Sequence, residues 1–224
     1  MPDAIVQTTP KLRGFSGVSL DRIQSFSDGV FAVAITLLIL DVRLPTVPRG
    51  TTDNAALAQA LGNQWPHYVA YVISFVVIGA FWMGHHELFD RLARHDQMFA
   101  WLNVFFLMAI VFIPYPTSIL SEYGETRVAT IFYAASLVTC GLLNLLLGAY
   151  ASWHGRLLKR DVQMSEIRDS VISNISYILV FSASIGIAFI SPDWAKYSWL
   201  AIIPLNIVVN HFVRAKEKAA APVD

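Results

Sequence analysis

The stretch that decides the fold is Arg22–Asp41, RIQSFSDGVFAVAITLLILD, in which an apolar segment carries a carboxylate at each end. Only 12 uncharged residues, Gly29–Leu40, separate Asp28 from Asp41. A helix that crosses a hydrocarbon core of about 30 Å at 1.5 Å per residue needs about 20 residues. A spanning helix here must include Asp28, and a charge within a span costs about 2.5–3.5 kcal/mol unless it finds a partner or water. The simpler alternative places Asp28 at the interface, in water.

The rest of the 224-residue chain indicates a membrane around this stretch. Apolar residues make up 55% and charged residues 14%, against about 25% charged in a soluble domain. Five other uncharged runs contain 33, 25, 28, 23 and 17 residues, which excludes a soluble globule. The 16 acidic and 16 basic residues cancel, so no net charge favours a nucleic-acid partner. We predict an all-α membrane protein with six spans, at about Leu20–Leu44, Trp65–Leu92, Gln97–Leu120, Arg127–Trp153, Ser170–Ile190 and Trp194–Arg214.

The distribution of basic residues predicts the orientation. With both termini in the cytoplasm, 12 of the 16 Lys and Arg residues fall on the inner side. We therefore expect a cytoplasmic segment at residues 1–19, one six-helix domain at 20–214 and a cytoplasmic tail at 215–224. The outer connection holds the Ala-rich stretch Asn54–Leu61, which predicts a short surface helix. The charged segment Arg156–Asp169 is expected to continue a helix into the cytoplasm.

The faces of the first helix separate two sets of residues. At 100° per residue, Gly29, Leu37 and Leu40 lie within about 40° of Val33, and Thr36 lies about 60° to one side. Asp28 points about 140° away from Val33. From periodicity alone, an aliphatic stripe of this kind is more simply a lipid or helix contact. If the stripe instead lines a pathway, the acid holds the helix against its neighbours and does not touch the permeant.

Candidate partners for Asp28 follow from depth in the membrane. The first span runs outward and the second returns, so Trp82, His85 and His86 lie at a depth similar to that of Asp28. A histidine or an indole bonded to the carboxylate would satisfy both groups. Arg22, about 9 Å of helix rise below Asp28, is long enough to reach the same cluster.

Two motifs carry a family resemblance. Arg22-x3-Phe26-Ser27-Asp28-Gly29-Val30-Phe31-Ala32, followed by Ile35-Thr36-Leu37-Leu38, resembles the signature of the transmembrane protein 175 family. Phe81-Trp82-x2-His85-His86-x2-Phe89 resembles its second motif. The resemblance implies a potassium-permeable channel that lacks the TVGYG filter, and TVGYG is indeed absent from this sequence. A single-unit chain is similar to the prokaryotic form, a homotetramer whose first helices surround a central pore.

The resemblance also implies roles for individual residues. The hydrophobic constriction falls on Val33, with further layers at Leu37 and Leu40, and Thr36 matches the layer associated with potassium preference. Valine is shorter than the Ile or Leu more common at the first layer in the family, which favours a wider constriction. A ring of aliphatic side chains closes a pore by dewetting. We expect Asp41 to lie at the outer mouth, and the network that braces the pore helix to contain Arg22, Phe26, Ser27, Asp28, Trp82, His85 and His86.

Two other classes of function remain to be weighed. Intramembrane carboxylate–histidine sets relay protons in pumps and transporters, so Asp28 with His85 or His86 would also suit a proton channel or a proton-coupled transporter. An enzyme is not expected, because no nucleophile elbow, phosphate loop or converging metal ligands are present. We therefore expect no cofactor, with potassium ions, the lipid bilayer and further copies of the chain as partners. The expected location is the prokaryotic plasma membrane.

Overall fold

Helices account for nearly all of the chain that the computed structural model describes, which is residues 18–43, 45, 47, 48, 50 and 52–199. No strand occurs among these residues, apart from one isolated bridge between Leu92 and Leu158. Two short 3-10 turns, Leu38–Asp41 and Trp153–Gly155, follow the first and sixth helices. The helices are α1 Leu20–Leu37, α2 Asn54–Gly62, α3 Trp65–Asp90, α4 Gln97–Phe112, α5 Pro114–Tyr123, α6 Arg127–Ser152, α7 Met164–Ala188 and α8 Pro192–Ser198.

Within the described residues, five stretches are long and apolar enough to cross a membrane. They match the first five predicted spans, and the short helix predicted at Asn54–Leu61 is α2. The sixth predicted span, Trp194–Arg214, lies mostly outside the described residues, as do most of segment 1–19 and all of tail 215–224. The five spans are Leu20–Asp41, Trp65–Asp90, Gln97–Tyr123, Arg127–Ser152 and Met164–Ala188.

Three of the five described spans begin where a side chain caps the first turn of the helix. The Asp96 carboxylate accepts the backbone N–H of Phe99 at 2.9 Å, and Ser19 and Thr126 accept from the third residue of α1 and α6. These side chains satisfy N–H groups that have no partner within the helix. Because Asp96 directly precedes the uncharged run Gln97–Ser121, the residue that caps α4 also marks the start of the apolar segment.

A helix break divides the third span. The two prolines near its outer end predict a helix terminus, and α4 does end at Phe112, but α5 starts at Pro114 and the span continues to Tyr123. Proline has no N–H to donate, which interrupts the helical ladder. The backbone N–H and the hydroxyl of Thr117 both donate to the carbonyl oxygen of Ile113, at 3.1 and 2.8 Å, and so connect the two sides of the break. The prolines therefore interrupt the helix without ending the span.

The ends of the bundle are distinguished by their loops. We call the end where α1, α4 and α7 begin the basic end, and the opposite one the far end. At the basic end the α3–α4 loop is joined to the α6–α7 loop, since Ala93 N–H donates to Leu157 and Lys159 N–H to Arg91, each at 2.9 Å. Residues 156–163 form this connection, so the helix predicted across Arg156–Asp169 begins only at Met164.

An ion pair reinforces the junction at the basic end. Arg156 and the Tyr150 hydroxyl both donate to the Asp96 carboxylate, at 2.9 and 2.8 Å. Burial alone would raise the pKa of Asp96, but the Phe99 N–H, the Tyr150 hydroxyl and the Arg156 charge together lower it below its ordinary value. Asp96 therefore stays ionised while it joins α4 to α6.

Candidate functional site

One face of α1 is packed against α3 and α4. Its side chains at Ser27, Phe31, Ala34 and Leu38 are each at most 1% exposed, at the spacing of four, three and four residues expected of a helix face. The Phe31 ring lies 5.5 Å from the ring of His85 and 6.0 Å from that of Phe106. This face fixes the position of the helix within the protomer.

The opposite face of α1 is open. Val33, Leu37 and Leu40, the predicted constriction residues, are 54%, 38% and 73% exposed. Thr36 is exposed beside them, and its hydroxyl donates to the carbonyl oxygen of Val33 at 2.9 Å. The aliphatic stripe and the threonine therefore share one surface that the described residues of the protomer leave uncovered.

Two residues expected in the bracing network lie elsewhere. Phe26 is 61% exposed and belongs to the open face, because seven residues bring a helix back to within about 20° of the same direction as Val33. Arg22 is exposed, and its side chain makes no hydrogen bond or ion pair with the residues that the structure describes. The structure therefore does not bring Phe26 or Arg22 to the buried polar groups.

Asp28 is bonded to an indole and not to a histidine. The Trp82 Nε1–H donates to Asp28 Oδ1 at 2.8 Å, which joins α1 to α3. Asp28 is only partly buried, and its hydrogen bond to Trp82 is exposed at the surface of the protomer. Of the partners predicted from depth, Trp82 is the one that the structure pairs with this carboxylate.

His85 belongs to a separate, fully buried chain of hydrogen bonds. Its Nε2 lies 2.8 Å from Asn103 Oδ1, and Asn103 Nδ2 donates to Ser27 Oγ at 3.0 Å. The Ser27 hydroxyl in turn donates to the carbonyl oxygen of Ile23 at 2.9 Å. Because the Asn103 nitrogen faces Ser27, its oxygen is left to accept, which assigns the His85 proton to Nε2. The chain joins α1, α4 and α3 through groups that are at most 1% exposed.

His86 makes a third link at the basic end. Its Nδ1 lies 3.2 Å from Gln24 Nε2, so the amide donates to the ring, and its Nε2 lies 3.6 Å from the Asp90 carboxylate. The ring also lies against Trp82, with 5.7 Å between the ring centres. The two neighbouring histidines therefore serve different contacts, one inside the bundle and one at its edge.

Asp41 forms the corresponding anchor at the far end. Its two carboxylate oxygens accept the hydroxyls of Ser118 and Ser121, at 2.5 and 2.6 Å. The residue is partly buried, and the bonds tie the end of the first span to α5. The predicted outer-mouth acid is thus held by its own subunit.

Sequence reasoning missed the groups that complete these anchors: Asn103, Gln24, Ser118 and Ser121. Asn103 carried a usable signal, because it interrupts an otherwise apolar stretch from Met98 to Phe112. A polar amide in such a stretch needs a partner inside the bundle. The partners themselves depend on which helices pack together, which the spacing within one helix does not contain.

Apolar spans and an open aliphatic face define a helical integral membrane protein, and comparison with known proteins identifies its family. Residues 22–114 match the family model described as "Endosomal/lysosomal potassium channel TMEM175". The chain is 39% identical over 205 residues to "Potassium channel B446_29190" of Streptomyces collinus, covering 90% of this chain and 97% of that protein. The chain belongs to the TMEM175 family, whose members are channels and not enzymes.

Further relatives agree on a cation channel and differ in the ion that their names give. A crystal structure of a "lysosomal potassium-selective channel TMEM175 homolog" from Chamaesiphon minutus matches with a TM-score of 0.70 and 28% identity, covering 87% of this chain and 97% of that one. "Endosomal/lysosomal proton channel TMEM175" of Gallus gallus is 38% identical over 112 residues, which cover 48% of this chain and 22% of that protein. The protein is therefore a cation channel.

Proposed function

We propose that this protein conducts potassium passively across the membrane through a pore lined by the open face of α1. The observation that carries the proposal is the division of this helix. Phe31 and Leu38 lie within the protomer, whereas Val33, Leu37 and Leu40 face outward with Thr36 beside them. The bacterial relatives named as potassium channels support potassium as the permeant ion.

The proposed working unit is a homotetramer. Each chain has one α1 and therefore one aliphatic stripe, which cannot enclose a pathway by itself. Several copies of the chain must therefore place their α1 helices around one axis. We further propose that residues 20–214 act as one channel domain and that the basic end faces the cytoplasm, as the excess of basic residues there favours. Bacterial relatives favour the prokaryotic plasma membrane as the location.

The proposed gate is the aliphatic stripe itself. Rings of Val33, Leu37 and Leu40 would close the pore by dewetting, and a small tilt of α1 would widen them. Thr36 would favour potassium, and Asp41 would add negative potential at the far mouth. The bonds of Asp28 to Trp82 and of Ser27 to Asn103 would hold α1 in register during this movement.

Potassium efflux from liposomes that hold the purified protein tests the proposal. We expect efflux with potassium inside, weaker flux with sodium inside, and strong reduction of both by Val33→Trp, which fills the proposed constriction. Val76→Trp is the matched control, because Val76 is 59% exposed on α3 and lies outside the aliphatic stripe. Equal reduction by both variants, or wild-type flux with no preference for potassium, would contradict the assignment.

Proton permeation by way of Asp28 and the histidines is the second candidate. Two observations favour it: vertebrate relatives are named proton channels, and the buried Nδ1 of His85 has no hydrogen-bond partner among the residues that the structure describes. Against it, Asp28 is bonded to Trp82 and to neither histidine. Asp28→Asn separates the two, because it keeps an acceptor oxygen for Trp82 and removes the titratable group. We expect potassium flux to persist in this variant, and loss of a proton current alone would instead favour the second candidate.

A further inference from the structure

A cleft lies between α3, α6 and α7, away from the open face of α1. It has a volume of about 340 Å³ and extends from Val77 and Tyr177 to Arg91 and Glu166 at the basic end. A second cavity of about 290 Å³ at the surface of the basic end shares Glu87, Arg91 and Glu166 with it. The two cavities are therefore neighbours, and together they line the way from the surface of the basic end to the membrane-spanning part of the bundle.

The lining of the cleft changes from apolar to charged along its length. Val77, Ala80 and Phe81 line the inner part on α3, and Glu87 and Arg91 follow about two and three turns beyond Phe81, nearer the basic end. The same order holds on α7, where Tyr177 lies deepest and Glu166 lies at the mouth. A molecule with an apolar tail and a polar head fits this gradient when its head lies at the basic end.

Four polar side chains in the cleft have unused hydrogen-bonding groups. Asn144, Ser170, Ser173 and Asn174 belong to the membrane-spanning helices α6 and α7 and are only partly buried. None of their side chains bonds to another residue in the described part of the chain. Polar groups at membrane depth are costly unless they bond to something. These groups therefore need a partner from outside the described residues, such as water, a neighbouring subunit or a bound molecule.

The charges at the mouth favour a ligand that donates hydrogen bonds. Three carboxylates, those of Glu87, Glu166 and Asp169, line the cleft, and two guanidinium groups pair with them. Arg91 lies 3.4 Å from Glu87 and 3.7 Å from Glu166, and Arg168 lies 3.6 Å from Asp169. Among the described residues, Asp169 Oδ1 accepts no hydrogen bond. Acceptor oxygens are therefore in excess, which suits an ammonium group.

We propose that this cleft binds a phospholipid with a primary ammonium headgroup, drawn from the leaflet at the basic end. The ammonium bonds to the carboxylates of Glu166 and Asp169, the phosphate lies near Arg91, and one acyl chain follows Val77 and Phe81. The site is independent of the proposed permeation path and of the permeant ion. It requires only that the protein spans a bilayer.

Native mass spectrometry of the purified protein, exchanged into micelles with one lipid at a time, tests the headgroup. We expect phosphatidylethanolamine to be retained more strongly than phosphatidylcholine, whose quaternary ammonium has no N–H, and more strongly than anionic phosphatidylglycerol. The double variant Glu166→Gln/Asp169→Asn should weaken retention of phosphatidylethanolamine by about fivefold, as expected for two partly exposed ion pairs. Asp21→Asn, an exposed acid at the same end but outside the cleft, should leave retention unchanged.

A second pair of variants tests the acyl-chain part without touching any charge. A Cβ atom at Gly84, which lines the cleft, would meet no atom within 4 Å, so Gly84→Leu has room to begin a side chain that occupies the cleft. Gly79 on the same helix has equal space and does not line the cleft, which makes Gly79→Leu the matched control. We expect Gly84→Leu alone to release the lipid.

Three results would overturn the proposal. Wild-type protein that retains no phosphatidylethanolamine would mean that water or another subunit covers the cleft. Equal retention of phosphatidylcholine would remove the role of the ammonium N–H groups. Displacement of the lipid by millimolar ethanolamine, with ethanolamine itself retained, would assign the cleft to a soluble amine.

Discussion

Phe26 and Phe31 lie five residues apart on α1, and the same side chain meets opposite surroundings at the two positions. Phe31 is 1% exposed and packs against His85 and Phe106, whereas Phe26 is 61% exposed. The difference extends along the helix, since Ala34 and Leu38 continue the buried face and Val33 and Leu40 the open one. One face of α1 therefore serves the fold of the protomer, and the other is free for assembly and for the proposed pore.

The largest effect is expected from the phenylalanine pair itself. Phe31→Ala should destabilise the protein by about 3–5 kcal/mol, because it leaves a cavity in a packed region. Phe26→Ala should cost far less, since the ring is mostly exposed. Thermal unfolding in detergent, followed by loss of the assembled species, measures both. Equal losses would mean that the open face is tightly packed in the assembled protein and does not line a pore.

The next effect concerns the width of the proposed constriction. Val33→Ala removes two methyl groups from the open face, so potassium efflux from liposomes should rise severalfold. The matched control is Val76→Ala on α3, where the valine is similarly exposed at 59% against 54%. A rise in both variants, or in neither, would break the link between the open face and permeation.

A smaller effect is expected at Thr36. Thr36→Val keeps the branched shape and removes the hydroxyl, so the preference for potassium over sodium should fall by about twofold, the equivalent of a weak hydrogen bond. Thr139→Val is the control, because Thr139 is also exposed and also donates to a backbone carbonyl of its own helix. Selectivity unchanged in Thr36→Val, measured with paired potassium and sodium fluxes, would separate this residue from ion preference.

The smallest effect is expected at Asp41. Because its oxygens are bonded to Ser118 and Ser121, the carboxylate would act on ions only through its long-range field. Asp41→Asn should reduce potassium flux slightly at low ionic strength and not at high ionic strength, where salt screens the charge. Glu125→Gln, an exposed acid at the same end, serves as the control. A reduction that persists in high salt would indicate a structural role.

Four of the five described spans were predictable because the cost of placing charge in lipid acts residue by residue. Runs without charge, such as Gln97–Ser121, therefore mark directly where the chain crosses the membrane. Comparing the depths of residues in the membrane also predicted Trp82 among the partners of Asp28. Packing between helices was harder to predict, since the chain from His85 through Asn103 to Ser27 needs three helices to meet.

Phe26 shows a difference between the motif and the structure of the single chain. The family motif places it beside Ser27 and Asp28 in sequence, and it was expected in the same network. Helix geometry points it instead towards the side of Val33, and the exposed ring agrees with the geometry. Neighbours in a motif therefore need not share a surface, and the 100° step between residues decides which of them do.

The hydroxyl of Thr36 illustrates how a backbone can set the polarity of a surface. Its hydrogen is already engaged by the carbonyl oxygen of Val33, so only oxygen lone pairs remain available on the exposed side. A group that could both give and take a hydrogen bond becomes one that only accepts. Repeated around an axis, such groups would offer electron pairs to a cation that is shedding water and would offer nothing to an anion.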